Sequence, residues 1–116
     1  MHSVRIDNEH SPYFPKFWET YTDAFPPAER RVKPDQTSLF ANPRFRLDAW
    51  LEGSTFVGFM AWWDYGDYRY VEHVAVAPEA RSGGNGGKIL RAWMEKDSTP
   101  VYLEIEEPVD GFTRRR

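Results

Sequence analysis

The hydrophobic positions of the chain change period along its length, and each change marks an element. Phe14, Phe17, Trp18, Tyr21 and Phe25 recur at steps of three and four, which lays one apolar stripe along an amphipathic helix. Ser11 is its candidate N-cap, with Pro12 in the first turn. Pro26 and Pro27 stop the helix, and "AERR", residues 28–31, offers the start of a short second one. From Phe45 the period becomes two. Phe45, Leu47, Ala49 and Leu51 alternate, a turn falls at residues 52–54, and Phe56, Gly58, Met60 and Trp62 alternate on the way back. A second turn at "DYGD", residues 64–67, leads into "YRYVEHVAVA", so the pattern predicts three antiparallel strands in succession.

After "HVAVAP" the helical period returns. Ile89, Leu90, Trp93 and Met94 share one face, and Pro100 lies past the end of that helix. "PVYLEIEEP" then sets Val101, Leu103 and Ile105 against Tyr102, Glu104 and Glu106 as another strand. Strand, helix and strand in that order imply a right-handed crossover to a parallel neighbour. The fold class is α/β (α+β): a mixed sheet, antiparallel first and parallel last, with helices on both faces. No repeat, low-complexity tract or long linker divides it, and residues 1–116 read as one domain.

Composition narrows the function. With 41% hydrophobic and 16% aromatic residues the chain is too rich in large apolar side chains to be disordered. No apolar run approaches the ~20 residues of a membrane span, and "MHSVRIDNEH" is too polar for a secretory signal, so the cytoplasm is the expected location. The absence of cysteine excludes disulfides, thiolate metal sites and a cysteine nucleophile. His2, His10 and His73 lack metal-ligand spacing, and no metal is expected. A net charge of -3 gives no long-range attraction for nucleic acid or anionic membranes. Any anion site must come from local geometry.

"ARSGGNGGKI", residues 80–89, offers such geometry, with Gly83, Gly84, Gly86 and Gly87 directly before the third helix. A Walker A loop ending at Lys88 would need glycine at Ser82 and Ser or Thr at Ile89. A dinucleotide fingerprint from Gly84 would need glycine at Ile89. What remains is R-x-x-G-x-G on Arg81, Gly84 and Gly86, preceded by "VAVAPEA". Glycines allow close approach of backbone amides to phosphate, and the helix end adds partial positive charge.

This stretch resembles the phosphate loop of the GNAT superfamily of acetyl-coenzyme A dependent N-acetyltransferases. "FWETYTDAFPPAERR", "FVGFMAWW", "YVEHVAVAPEARSGG" and "YLEIEEP" occur in the order of that family's first helices, antiparallel strands, cofactor strand and fifth strand. The resemblance implies that Val74, Ala75 and Val76 receive the pantetheine arm through their backbone. It implies that Arg81, Ser82, Gly83, Gly84, Asn85, Gly86, Gly87 and Lys88 hold the pyrophosphate of acetyl-CoA (CoA). It further implies an N-acetyltransferase whose partner is a small-molecule or peptide amine, attacked directly in a ternary complex. Members usually continue with another helix, often bearing a tyrosine that protonates the leaving thiolate, and two more strands. Here the sequence stops at "GFTRRR", so the domain reads as C-terminally truncated. The edge of the last strand is then a candidate for pairing in a homodimer.

Glu72 is the candidate general base by the same resemblance, and an ion pair with Arg44 or Arg46 is the other open reading. Strand alternation puts His73 on the opposite face from Glu72. Tyr102 is not at the family's tyrosine position. Trp62, Trp63, Tyr65, Tyr68 and Tyr70 either line an acceptor pocket or pack the sheet, and Glu104, Glu106 and Glu107 either attract a cationic amine or are solvated. A non-catalytic CoA-binding or dimerisation module, and a binder of nucleotide phosphate, are the alternatives to an enzyme.

Overall fold

The alternating segments fold into one five-stranded sheet in the computed structural model, which describes residues 1–103. Strands β1 (His2–Arg5), β2 (Phe45–Glu52), β3 (Thr55–Asp64) and β4 (Arg69–Val76) lie side by side and antiparallel. Helix α1 (Phe14–Ala24) and the short α2 (Lys33–Ser38) precede β2, and α3 (Asn85–Met94) carries the crossover from β4 to a parallel β5 (Val101–Leu103). This is the mixed sheet the hydrophobic pattern implies. The two hairpin turns fall where expected, with Gly53 at φ +63° and Gly66 at φ +87° supplying the left-handed backbone that tight turns require. Residues 104–107, with their three glutamates, and the arginines at 114–116 lie outside the described residues.

Each face of the sheet carries its own core. On one, the α1 stripe sets Phe17 and Tyr21 against Phe59, the Phe17 and Phe59 rings meeting edge to face at 4.8 Å. On the other, Ile89 and Trp93 of α3 pack over Met60, Val74 and Val76. Fully burying an aliphatic or aromatic side chain contributes roughly 1.5–3 kcal/mol, so the two layers supply most of the favourable term. Gly58 permits the close approach of α3, because a Cβ there would run into the Ala75 carbonyl oxygen and lie 2.9 Å from Ile89 Cδ1.

Three details depart from the sequence reading. Strand β1 was not anticipated: its outward residues are polar and only Ile6, just beyond it, is fully buried, so four residues give too short a pattern. Helix α1 begins at Phe14 rather than after Ser11, because residues 8–14 form a turn in which the Ser11 carbonyl accepts from Phe14 N–H (3.0 Å) and its hydroxyl accepts from Tyr13 N–H (3.2 Å). Pro15 then takes the first-turn place. Finally, "AERR" does not open an α-helix. Only a 3-10 turn forms at Pro27–Glu29, and Arg30 is held extended while its guanidinium donates to the carbonyls of Thr22 and Phe25 (2.9 and 2.6 Å), capping the end of α1.

Strand β3 carries an irregularity that strict alternation misses. Trp50 faces Gly58 and Leu51 faces Phe56, so Val57 is an extra residue. Phe56 consequently belongs to the α1 side, while Met60 and Trp62 belong to the α3 side.

Candidate functional site

The residues singled out by sequence converge on the second half of β4 and the turn that follows it. Ala61 faces His73 and Trp62 faces Val71, which leaves Glu72 as the extra residue of a β-bulge. The bulge cancels one step of alternation. Val71, Val74 and Val76 face α3, whereas Glu72 and His73 both turn toward α1. His73 is therefore not on the opposite face from Glu72, and the expectation based on alternation is corrected. Its ring lies edge-on to Tyr21 and Phe25, at centroid distances of 5.3 and 4.7 Å.

Glu72 is gripped at both carboxylate oxygens. Trp63 Nε1 donates to Oε1 at 3.0 Å, and an Arg31 Nη donates to Oε2 at 2.6 Å. The cation is neither of the two cross-strand arginines considered from sequence: Arg44 donates to the Asp64 carbonyl and lies over Tyr65, and Arg46 pairs with Asp64 at 3.7 Å. Arg31 sits 41 residues away, in the extended segment between α1 and α2, where no local pattern could connect it to β4. Its backbone N–H donates to Tyr21 Oη at 2.7 Å, which fixes the segment to α1.

These contacts set the protonation states. Burial would raise the Glu72 carboxyl, but the hydrogen bonds from Trp63 and Arg31 outweigh it and hold the group below the ordinary carboxylate range. Burial lowers His73, against the opposing pull of the Glu72 charge. Burial also raises Tyr21. The cluster thus presents an ionised carboxylate beside a neutral imidazole at neutral pH.

The outer edge of β4 has no strand partner among the described residues beyond this point. Among the described residues β5 accompanies β4 only as far as Val71, opposite Leu103. Ala77 N–H donates to the Val57 carbonyl on the β3 side at 2.8 Å. Backbone groups alternate sides along a strand, so Ala75 also turns its peptide groups to β3, and Val74 and Val76 turn theirs to the outer edge. The side chains of Val74 and Val76 pack into the α3-side core. Ala75 instead puts its methyl into the α1-side core.

Past β4 a 3-10 turn (Pro78–Ala80) leads to two left-handed residues, Ser82 at φ 75° and Gly84 at φ 70°, and α3 begins at Asn85. Gly84 is the N-cap, and as a glycine it brings no side-chain oxygen to the first-turn amides. Ser82, Gly83 and Gly84 are exposed, and a Cβ on Gly84 would meet nothing within 4 Å, so glycine is required there by backbone conformation. Gly86 is buried under the first turn, Gly87 borders the Arg91 guanidinium, and Lys88 is exposed. Asn85 Nδ2 donates to the Ala80 carbonyl at 2.8 Å, closing the turn. Arg81 serves the loop in a way the motif alone does not show. Its Nε donates to the Val76 carbonyl at 3.0 Å and an Nη pairs with Asp23 at 2.9 Å.

The aromatic band divides in two. Trp62 packs edge-on against Trp93 and donates to Asp48, which is structural, while Trp63, Tyr65, Tyr68 and Tyr102 run in contact across the sheet end. A separate open cleft of about 710 Å³ lies between α1 and α2, lined by Phe14, Trp18, Glu19, Lys33 and Thr37, and contains none of the β4 residues. No helix among the described residues is long and apolar enough to cross a membrane.

A mixed sheet of this order, with its fourth strand running into a glycine turn at a helix start, is the arrangement to set beside known proteins. The chain belongs to the acetyltransferase (GNAT) family, whose pattern it matches over residues 4–110. A GNAT-family protein from Bacteroides thetaiotaomicron superposes with a TM-score of 0.84 at 27% identity over 94% of this chain, which spans only 62% of that protein. An aminoglycoside 6′-N-acetyltransferase solved with coenzyme A shares the fold at TM-score 0.67 and 15% identity, covering 89% of this chain and 61% of its own. GCN5 of Tetrahymena does so at 0.70 and 12%, with coverages of 92% and 72%. No protein of curated function matches the sequence.

Proposed function

We propose that the chain transfers an acetyl group from acetyl-coenzyme A to an amine, small molecule or peptide, in the cytoplasm and by direct attack within a ternary complex. The observation that carries this reading is one strand with two features. β4 holds Glu72 in its bulge and ends in the glycine-lined start of α3. The residues present suit a diphosphate-bearing ligand: exposed backbone at 82–84, a glycine N-cap that adds no side-chain acceptor of its own, and a helix end carrying about half a positive charge.

Acetyl-coenzyme A supplies, when bound, an acyl group activated as a thioester. The protein's part is to place and deprotonate. Amides around residues 83–87 would take the diphosphate, with Ser82 and Lys88 at the rim. The outward peptide groups of Val74 and Val76 would take the extended arm as an added strand. An alkylamine with pKa near ~10.4 is protonated at neutral pH, so transfer needs an acceptor for that proton. Glu72, already ionised, serves as that acceptor, its oxygens retaining lone pairs beyond those used by Trp63 and Arg31.

Calorimetric titration with acetyl-coenzyme A, coenzyme A and ATP, followed by thiol release against a panel of amines, tests this. Coenzyme A binding with turnover on at least one amine, and loss of about 100-fold or more in Glu72→Gln, is expected. Binding without thiol release on any amine would favour a coenzyme-binding module, and preference for ATP would reject the donor.

A further inference from the structure

The Arg31 guanidinium stands in front of the carboxylate that the proposed reaction uses, and it arrives there from a segment with no regular structure. We propose that Arg31 is a positioning residue for acetyl transfer, clamping the Glu72 carboxylate in the bulge of β4 in the orientation that meets an incoming amine. This rests on the reading of Glu72 as proton acceptor.

The geometry around Glu72 supports the clamp. The bulge alone leaves Glu72 without a cross-strand partner, since its neighbours Val71 and His73 take the two β3 positions. The carboxylate is then fixed from two directions, by the indole of Trp63 on β3 and by Arg31 from the α1–α2 connection. Arg31 is itself fixed through its backbone, whose N–H donates to Tyr21 Oη, while Arg30 ties the same segment to the last turn of α1. The side chains of Arg31 and Glu72 keep 29% and 20% exposure, enough to be reached from solvent while much of the pair is shielded. A bond of 2.6 Å with that shielding belongs to the stronger, charge-assisted class.

The groups facing Glu72 are Trp63 from β3, Arg31 from the connection, His73 from β4 and Tyr21 from α1. Of these, only Arg31 carries a permanent charge. Without its guanidinium, burial is opposed only by the Trp63 bond and the weaker pull of His73, so the Glu72 carboxyl rises and its rotamer loosens. The neutral His73 loses the same opposing charge and rises too.

The test compares Arg31→Met and Arg31→Lys in the full chain. Carboxyl-carbon NMR, with the Glu72 signal assigned by its loss in Glu72→Gln, reads the midpoint directly and without turnover. Arg31→Met is expected to move that midpoint upward and to shift the acid limb of kcat/KM the same way, so that activity falls several-fold more at pH 6 than at pH 8. Arg31→Lys is expected to restore most of both. The Arg31 N–H bond to Tyr21 is a backbone bond and survives either change, and a retained melting profile verifies the fold. An unmoved Glu72 midpoint in Arg31→Met overturns the clamp. A moved midpoint with an unmoved rate limb upholds the grip of Arg31 on Glu72 and removes Glu72 from the role of proton acceptor.

Discussion

Asp48 is a buried carboxylate on the α3 side of the sheet, only 8% exposed, and accepts a hydrogen bond from Trp62 Nε1 at 2.8 Å. Burial raises its carboxyl above the ordinary value, and the Trp62 bond with the charges of Lys96, Arg5 and Arg46 offsets this only in part. A group whose folded pKa is raised binds its proton more tightly in the native state, so stability is greatest below the unfolded value and falls as pH rises through the raised one. At neutral pH the ionised form is a cost. Asp48→Asn keeps an acceptor for Trp62 and removes the charge. Denaturant unfolding is expected to show a variant about 1 kcal/mol more stable at pH 7, with the decline above pH 4 flattened. A variant less stable at pH 7 would mean the surrounding cations dominate. Glu72 has the opposite sign: its lowered pKa contributes stability above the unfolded value and loses it as pH falls through the folded one.

Among the elements, the turn before α3 permits a matched comparison. Gly53 in the β2–β3 turn and Gly84 at the α3 cap have φ of +63° and +70°, and a Cβ at either would meet nothing within 4 Å. Alanine at each should therefore cost about the same, roughly 1 kcal/mol, for the same backbone reason. Only Gly84→Ala is expected to weaken coenzyme A binding, by about tenfold or more by calorimetry, because only there do the displaced amides belong to the proposed cradle. Equal affinities in the two variants would disconnect the turn from the ligand. The glycine turn was legible in sequence because the conformation demands a particular residue type. The bulges at Val57 and Glu72 were not, since an extra residue in a strand leaves no composition signature, and each inverted the faces of the residues beyond it. Arg31 was invisible for a related reason: its partner is supplied by tertiary folding, whereas Arg44 and Arg46 looked better placed on strand periodicity alone.

Across the whole molecule, Arg69 ties together the start of β4, the end of α3 and the entry to β5. It is 3% exposed, its Nη2 donates to the carbonyls of Asp97 and Thr99 at 2.9 Å each, and its guanidinium lies 4.2 Å from the centre of the Trp93 indole ring. Arg69→Met removes the donor that serves two part-buried carbonyls and leaves the space beside Trp93 without its cation. Thermal and urea unfolding should show a loss of about 1–3 kcal/mol with coenzyme A affinity unchanged in the folded protein. A loss of affinity out of proportion to stability would show that the crossover also positions the ligand site. The order of strands and the crossover were legible because hydrophobic period and turn residues act over a few neighbouring positions. This buried arginine reads from sequence only as a polar residue at a strand start.

The tie between Arg81, the Val76 carbonyl and Asp23, together with the Lys16–Glu79 pair at 2.6 Å, moors the glycine turn to α1 across the top of the sheet. Each exposed pair is individually weak. With the Asn85 bond to Ala80, however, they settle the shape of the turn while the chain folds, before any ligand approaches. For the proposed diphosphate ligand this means no closure of a floppy hoop, and the association rate should track diffusion and ionic strength instead of a slow rearrangement.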